Sequence, residues 1–109
     1  MWIPLNNIDD LSLIIEHSKK RPQAIFKHST RCSISSMAKG RLERSGKSDN
    51  FDLHYLDLIK HRDISNAVAE QFDVQHESPQ IIVIKDGKCV YDESHSGISM
   101  DELEEQVKS

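Results

Sequence analysis

The chain has 109 residues, of which 37% are hydrophobic and 29% charged, and its net charge is -4. That length suits one domain, residues 1–109, which can bury a core without disulfide staples, and the composition is that of a soluble globular chain rather than a disordered one. No apolar run nears the ~20 residues of a membrane helix, and the basic residues form no face that could neutralise phosphates, so neither membrane insertion nor nucleic-acid binding is expected.

At the N-terminus, Met1-Trp2-Ile3-Pro4 has no basic stretch followed by an apolar one, so no secretory signal is expected. Asn6-Asn7 offers a helix cap, Asp9 and Asp10 suit a first turn, and Ile8, Leu11, Ile14 and Ile15 recur at helical spacing. Lys19-Lys20-Arg21, the only tight basic cluster, falls where this helix should end, and Pro22 follows. Gln23 to Lys27 reads as a short apolar strand, His28 to Arg31 as a polar loop, and Ser33 to Arg44 as a helix stopped by Ser45-Gly46. Phe51 to Asp57 is a second strand with Phe51, Leu53 and Tyr55 on one face.

Asp63 to Phe72 is a helix whose apolar side is Ile64, Ala67, Val68 and Phe72. Gln80 to Lys85 (Q-I-I-V-I-K) is the strongest strand and is expected at the centre of the sheet. Asp86-Gly87 signals a hairpin, and Cys89 to Glu93 returns as an edge strand. Gly97 ends it, and Ser99 with Glu102 has capping-box spacing ahead of a last helix, Asp101 to Val107. The order predicts an α/β fold: a mixed four-stranded sheet with helices on both faces.

Cys32 falls between the first strand and the next helix. If Ser33 opens that helix, the thiol meets free N–H groups and the positive end of the helix dipole, with Arg31 and Lys27 adding positive potential. Such a setting lowers a cysteine pKa from ~8.5 toward neutrality, and the thiolate is the nucleophile of disulfide exchange. A free cysteine is more often a small buried hydrophobe. Here the neighbours Ser29, Thr30, Arg31, Ser33, Ser35 and Ser36 are all polar, which favours exposure. A dithiol enzyme carries a second cysteine three residues on, and in this chain Ser35 holds that place. A hydroxyl can hydrogen-bond a thiolate but cannot close a disulfide, so the chemistry is expected to be monothiol.

Pro79 opens the strongest strand at the end expected to face Cys32. A cis Ser78-Pro79 bond there would leave the backbone of Ser78 free to pair with an extended substrate. Along the strand, Cys89 lies beyond the far end, roughly 20 Å away at ~3.3 Å per residue, too far for a disulfide with Cys32. Its expected role is packing. The six histidines show no zinc-ligand spacing, so no metal is expected. His28, His76 and His95 are candidates for the rim of the same groove, with His76 foremost and Gly97 close by.

These residues resemble the monothiol bacilliredoxin family of thioredoxin-like proteins. The resemblance is carried by Ser29-Thr30-Arg31-Cys32-Ser33-Ile34-Ser35, by Asp57-Leu58-Ile59-Lys60-His61-Arg62 with Ser65-Asn66, and above all by His76-Glu77-Ser78-Pro79-Gln80. The family motif is of T-C-x-x-S type. Arg31 intervenes between Thr30 and Cys32 here, which leaves Cys32 and Ser35 in place. The resemblance implies a thioredoxin fold and removal of bacillithiol from protein mixed disulfides, with catalytic Cys32, thiolate support from Arg31, Ser33 and Ser35, and a substrate groove at His76, Ser78, Pro79 and Gly97. It implies no bound cofactor, with bacillithiol as co-substrate and bacillithiolated client proteins as partners. It further implies a cytoplasmic, stress-related role as a monomer or weak dimer in a low-GC Gram-positive bacterium. Three alternatives stay open: a thioredoxin-like binding module, an iron–sulfur carrier of the monothiol glutaredoxin kind, in which two chains and external thiols would share a cluster, and a thioredoxin-like protein whose redox role is lost.

Overall fold

Three polar residues in one six-residue strand would ordinarily argue for a sheet edge, yet Gln23–His28 is buried at every position. The computed structural model describes residues 1–108 and places this strand in the middle of the sheet. The elements run β1 (Ile3–Pro4), α1 (Asp9–His17), β2 (Gln23–His28), α2 (Ser33–Ser45), β3 (Asp52–Asp57), α3 (Arg62–Phe72), β4 (Gln80–Lys85), β5 (Lys88–Ser94), a 3-10 turn (His95–Gly97) and α4 (Met100–Lys108). The strand order is β1-β3-β2-β4-β5, with β1, β3 and β2 parallel and β4 and β5 antiparallel to their neighbours.

Two expectations need correction. The sheet has five strands among the described residues, not four. The extra one pairs Ile3 and Pro4 with His54 and Tyr55, and the Leu5 N–H donates to the Tyr55 carbonyl at 2.8 Å. Two residues, one of them proline, leave no alternation to detect. What holds them is tertiary: the Trp2 ring stacks on Phe26 at 5.5 Å and its Nε1–H donates to Glu43 at 2.7 Å. Secondly, β4 is interior but not central. The centre is β2, whose polar residues are accommodated by specific partners. Gln23 donates to Asp52 at 2.8 Å and its Oε1 stands 2.7 Å from His54 Nε2, while Lys27 and His28 bond within the site described below.

The helices cover both faces, as the pattern predicts. On one face Ala24, Phe26, Leu53, Ile81 and Val83 pack against Ala38 and Leu42 of α2 and Leu103 and Val107 of α4. On the other, Ile25, Leu56, Ile82 and Ile84 pack against Leu11 and Ile14 of α1 and Ile64, Val68 and Phe72 of α3. Each of the larger apolar side chains contributes roughly 1.5–3 kcal/mol on burial. The Asp86-Gly87 turn has φ of 52° and 77°, as a two-residue hairpin requires. Its N–H groups donate to the Ser18 carbonyl and hydroxyl, which pins the hairpin to the end of α1. At α4 only half of the capping box forms. The Glu102 N–H donates to Ser99 Oγ at 3.2 Å, but the Glu102 carboxylate accepts from Gln106 instead of returning to the cap.

Candidate functional site

Register decides where the site lies. Lys27 of β2 is paired with Gln80 of β4, and Gln80 in turn with Ser94 of β5. The exit of β2 toward Cys32, the entry to β4 at Pro79 and the exit of β5 toward Gly97 therefore meet at one end of the sheet. Backbone bonds tie this end together: the Leu58 N–H donates to the His28 carbonyl at 3.0 Å, and the His95 N–H to the Pro79 carbonyl at 3.0 Å. The Ser78–Pro79 peptide is cis.

Cys32 is the N-cap residue of α2, with extended backbone (φ -111°, ψ 120°), and is half-buried. Its carbonyl accepts from the Ser36 N–H at 3.1 Å and its own N–H donates to the Ser29 carbonyl at 3.2 Å, so the backbone is held from both sides. The thiol makes no capping hydrogen bond. It stands where the first N–H groups of a helix lack intrahelical partners, which is a favourable place for a negative sulfur. Arg31 and Ser33 flank it and are exposed. Ser78 is half-buried, Pro79 is buried, and sheet pairing begins only at Gln80. Gly97 is exposed in the 3-10 turn, where a Cβ would come within 2.6 Å of the Glu93 side chain. In the same turn, His95 Nε2 stands 3.9 Å from the Glu77 carboxylate.

Two side chains are placed differently from expectation. Ser35 is fully buried, and its Oγ lies 2.7 Å from His28 Nδ1 while accepting from the Ser29 N–H at 3.0 Å. Its hydroxyl thus braces the end of β2 against α2 and makes no bond to the Cys32 sulfur, which corrects its assignment as a support of the thiolate. The reason is helical geometry: three residues on from the cap, a buried side chain of α2 points down onto the sheet. Lys27 is likewise engaged elsewhere. It is fully buried on the α3 face, where its Nζ donates to the Ser65 carbonyl at 3.2 Å and stands 3.3 Å from His76 Nδ1. Burial lowers its pKa from 10.5 to about 8.

The histidines divide accordingly. Burial, and secondarily the nearby Lys39 ammonium, push the pKa of His28 down, and its ring lies between Phe26 and Tyr55 at 5.8 and 5.6 Å. The pKa of His76 is pushed down too, by burial first and then by Lys27 and Arg62. Both rings are thereby favoured as neutral hydrogen-bonding groups. The Lys27–His76–Ser65 cluster was not foreseen. Its sequence signal is a lysine directly after the apolar run Ala24-Ile25-Phe26 in a strand set between two helices. Cys89 lies opposite Ile84 at the other end of β4, packs against the α1/α3 layer, and donates to the Tyr91 carbonyl at 3.4 Å.

A family model described as monothiol bacilliredoxin BrxC matches residues 3–103. Among solved structures, a candidate oxidoreductase with a thioredoxin fold superposes with a TM-score of 0.84 at 31% identity, covering 95% of this chain and 91% of its own. Fasciola hepatica thioredoxin gives 0.75 at 20% identity, over 99% of this chain and 97% of its own. A Malassezia sympodialis thioredoxin gives 0.77 at 13% identity, over 99% and 89%. The two thioredoxins speak for the fold alone, and the fold is that of thioredoxin.

Proposed function

This chain belongs to the monothiol bacilliredoxin family, and on that premise we propose that it removes bacillithiol from protein mixed disulfides through Cys32. The observation that carries the reading is the placement of a half-buried cysteine at the N-cap of α2, beside the entry to β4, with serine where a resolving thiol would stand. The Cys32 thiolate attacks the bacillithiol sulfur of the client disulfide. A Cys32–bacillithiol bond forms, the old S–S bond breaks, and the client sulfur leaves as a thiolate that takes a proton from solvent. An external thiolate then attacks the adduct, forming a new disulfide with bacillithiol and releasing Cys32. Electrons balance without a bound cofactor, since one disulfide is exchanged for another at each step. Bacillithiol is a co-substrate, the client proteins are the partners, and the compartment is cytoplasmic. Ser78 offers its backbone to the client chain, and Gly97 and His76 line the groove.

Intact mass spectrometry of the reduced protein mixed with a bacillithiolated client is the direct test. The wild type is expected to gain one bacillithiol as the client loses it, and Cys32→Ala to gain none. A client that stays capped in the presence of wild type would refute the activity.

A further inference from the structure

Lys27 is a cation with no exposed surface, and among the described residues no carboxylate pairs with it. A buried ammonium without a counter-ion is costly, and an apolar side chain of similar length would serve the core better. Its two contacts say what the amine does instead. An ammonium has three N–H groups and no lone pair, so it can only donate. It donates to the Ser65 carbonyl at 3.2 Å and, at 3.3 Å, to His76 Nδ1. The Ser65 hydroxyl, 3.4 Å from the same ring nitrogen, can donate there as well. Nδ1 is therefore the acceptor and carries no proton, and the one proton of the neutral ring is on Nε2.

Nε2 is on the other side of the ring from Nδ1, and it is not among the buried polar atoms that lack a partner, so it reaches solvent. No described residue hydrogen-bonds it, and His76 is half-buried two residues before Ser78. We propose that Lys27 is a positioning residue, which presets His76 as a neutral Nε2–H donor beside Ser78-Pro79 for an acceptor oxygen of the docked substrate, a peptide carbonyl or a carboxylate or amide of the attached thiol. This rests on the reading of the Cys32 groove as the site of exchange. Other charges around the ring are Arg62, which disfavours a charged ring as Lys27 does, and Glu77, which favours it. Ser65 is the uncharged partner from α3.

The test combines a spectroscopic and a kinetic readout. Long-range proton–nitrogen spectra of the wild-type histidine rings near neutral pH, with His76 assigned by His76→Gln, should show the Nε2–H form. In Lys27→Met the ring should shift toward a mixture of tautomers. KM for a bacillithiolated client peptide should rise by about tenfold, the loss of one hydrogen bond, with kcat changed less. An Nδ1–H ring in the wild type overturns the proposal, and so does a Lys27→Met protein with wild-type KM. Should Lys27→Met fail to fold, the wild-type tautomer still decides. A wild type inactive on the client peptide overturns the parent reading and the substrate half of this one, whereas the tautomer measurement separately judges the Lys27–His76 arrangement.

Discussion

At Ser35 one hydroxyl group serves two neighbours. The Ser29 N–H takes one lone pair, and His28 Nδ1 takes the second bond at 2.7 Å. Ser35→Ala would strand both groups in a buried setting and should cost about 1–3 kcal/mol in urea unfolding. Formation of the Cys32 adduct should be unchanged, because the oxygen does not bond the sulfur. A folded Ser35→Ala protein that no longer forms the adduct would return the hydroxyl to the thiolate. Lys27 makes a second prediction at this scale. Its folded pKa, about 8, lies below the ordinary 10.5, so between those values the unfolded chain holds a proton that the folded chain has lost. Stability contributed by this group therefore rises with pH across that window, by up to roughly 3 kcal/mol. Urea unfolding between pH 8 and 10.5 should show the rise in wild type relative to Lys27→Met, which lacks the group. Equal pH profiles would contradict a buried ammonium.

At the scale of elements, β1 is the test of how two residues become a strand. Backbone pairing of Ile3 and Pro4 cannot hold it alone, since a proline contributes no N–H. Trp2 supplies the anchor: its ring lies 5.5 Å from Phe26 and 5.7 Å from Tyr55, and Lys39 Nζ stands 5.8 Å from its centroid. Hydrogen bonds from Lys39 and Trp2 hold the Glu43 carboxyl below its usual range, so the strand is tied to α2 through that one acid. Trp2→Ala should cost about 2 kcal/mol, less than a fully buried tryptophan because this ring is half-exposed. Circular dichroism is the appropriate probe, since Trp2 is the only tryptophan in the chain. A loss near zero would mean that β1 adds pairing without stability. A second such tie joins α2 to the turn after β5, where the Arg41 guanidinium donates to the His95 and Ile98 carbonyls at 3.1–3.2 Å. The helix that carries Cys32 is thus tied to the chain beside both edge strands, β1 and β5.

Across the whole molecule the two thiols are kept apart by the length of a strand. Cys89 is opposite Ile84, four residues along β4 from Gln80, about 13 Å at ~3.3 Å per residue. A disulfide needs Cα atoms within about 7 Å. Burial also pushes the Cys89 thiol up, against formation of its thiolate. Oxidation of the dilute protein should therefore give no internally bridged species, and intact mass should show no loss of two hydrogens in the monomer. Cys89→Ala should form the same single adduct as wild type. An internally oxidised monomer that disappears in Cys89→Ala would show that the sheet opens far enough to bring the thiols together.

Much of this protein was readable in its residues. The alternation of helices and strands, the hairpin at Asp86-Gly87, the apolar faces of α3 and β4, and the position of Cys32 at a helix start all rest on local rules: periodicity, turn chemistry and capping act over a few neighbouring residues. What only the tertiary structure decided involves groups distant in sequence. Pairing of Ile3 with His54 added the fifth strand, and the order of strands moved the centre from β4 to β2. Contacts from Ser65 and His76 make Lys27 a buried partner of a histidine, where an electrostatic aid to the thiol was expected. His28 took the Ser35 hydroxyl from the sulfur. In each case the polar group's role follows from which partner lies within hydrogen-bonding distance, and that distance is set by sheet register and helix packing rather than by the neighbours along the chain.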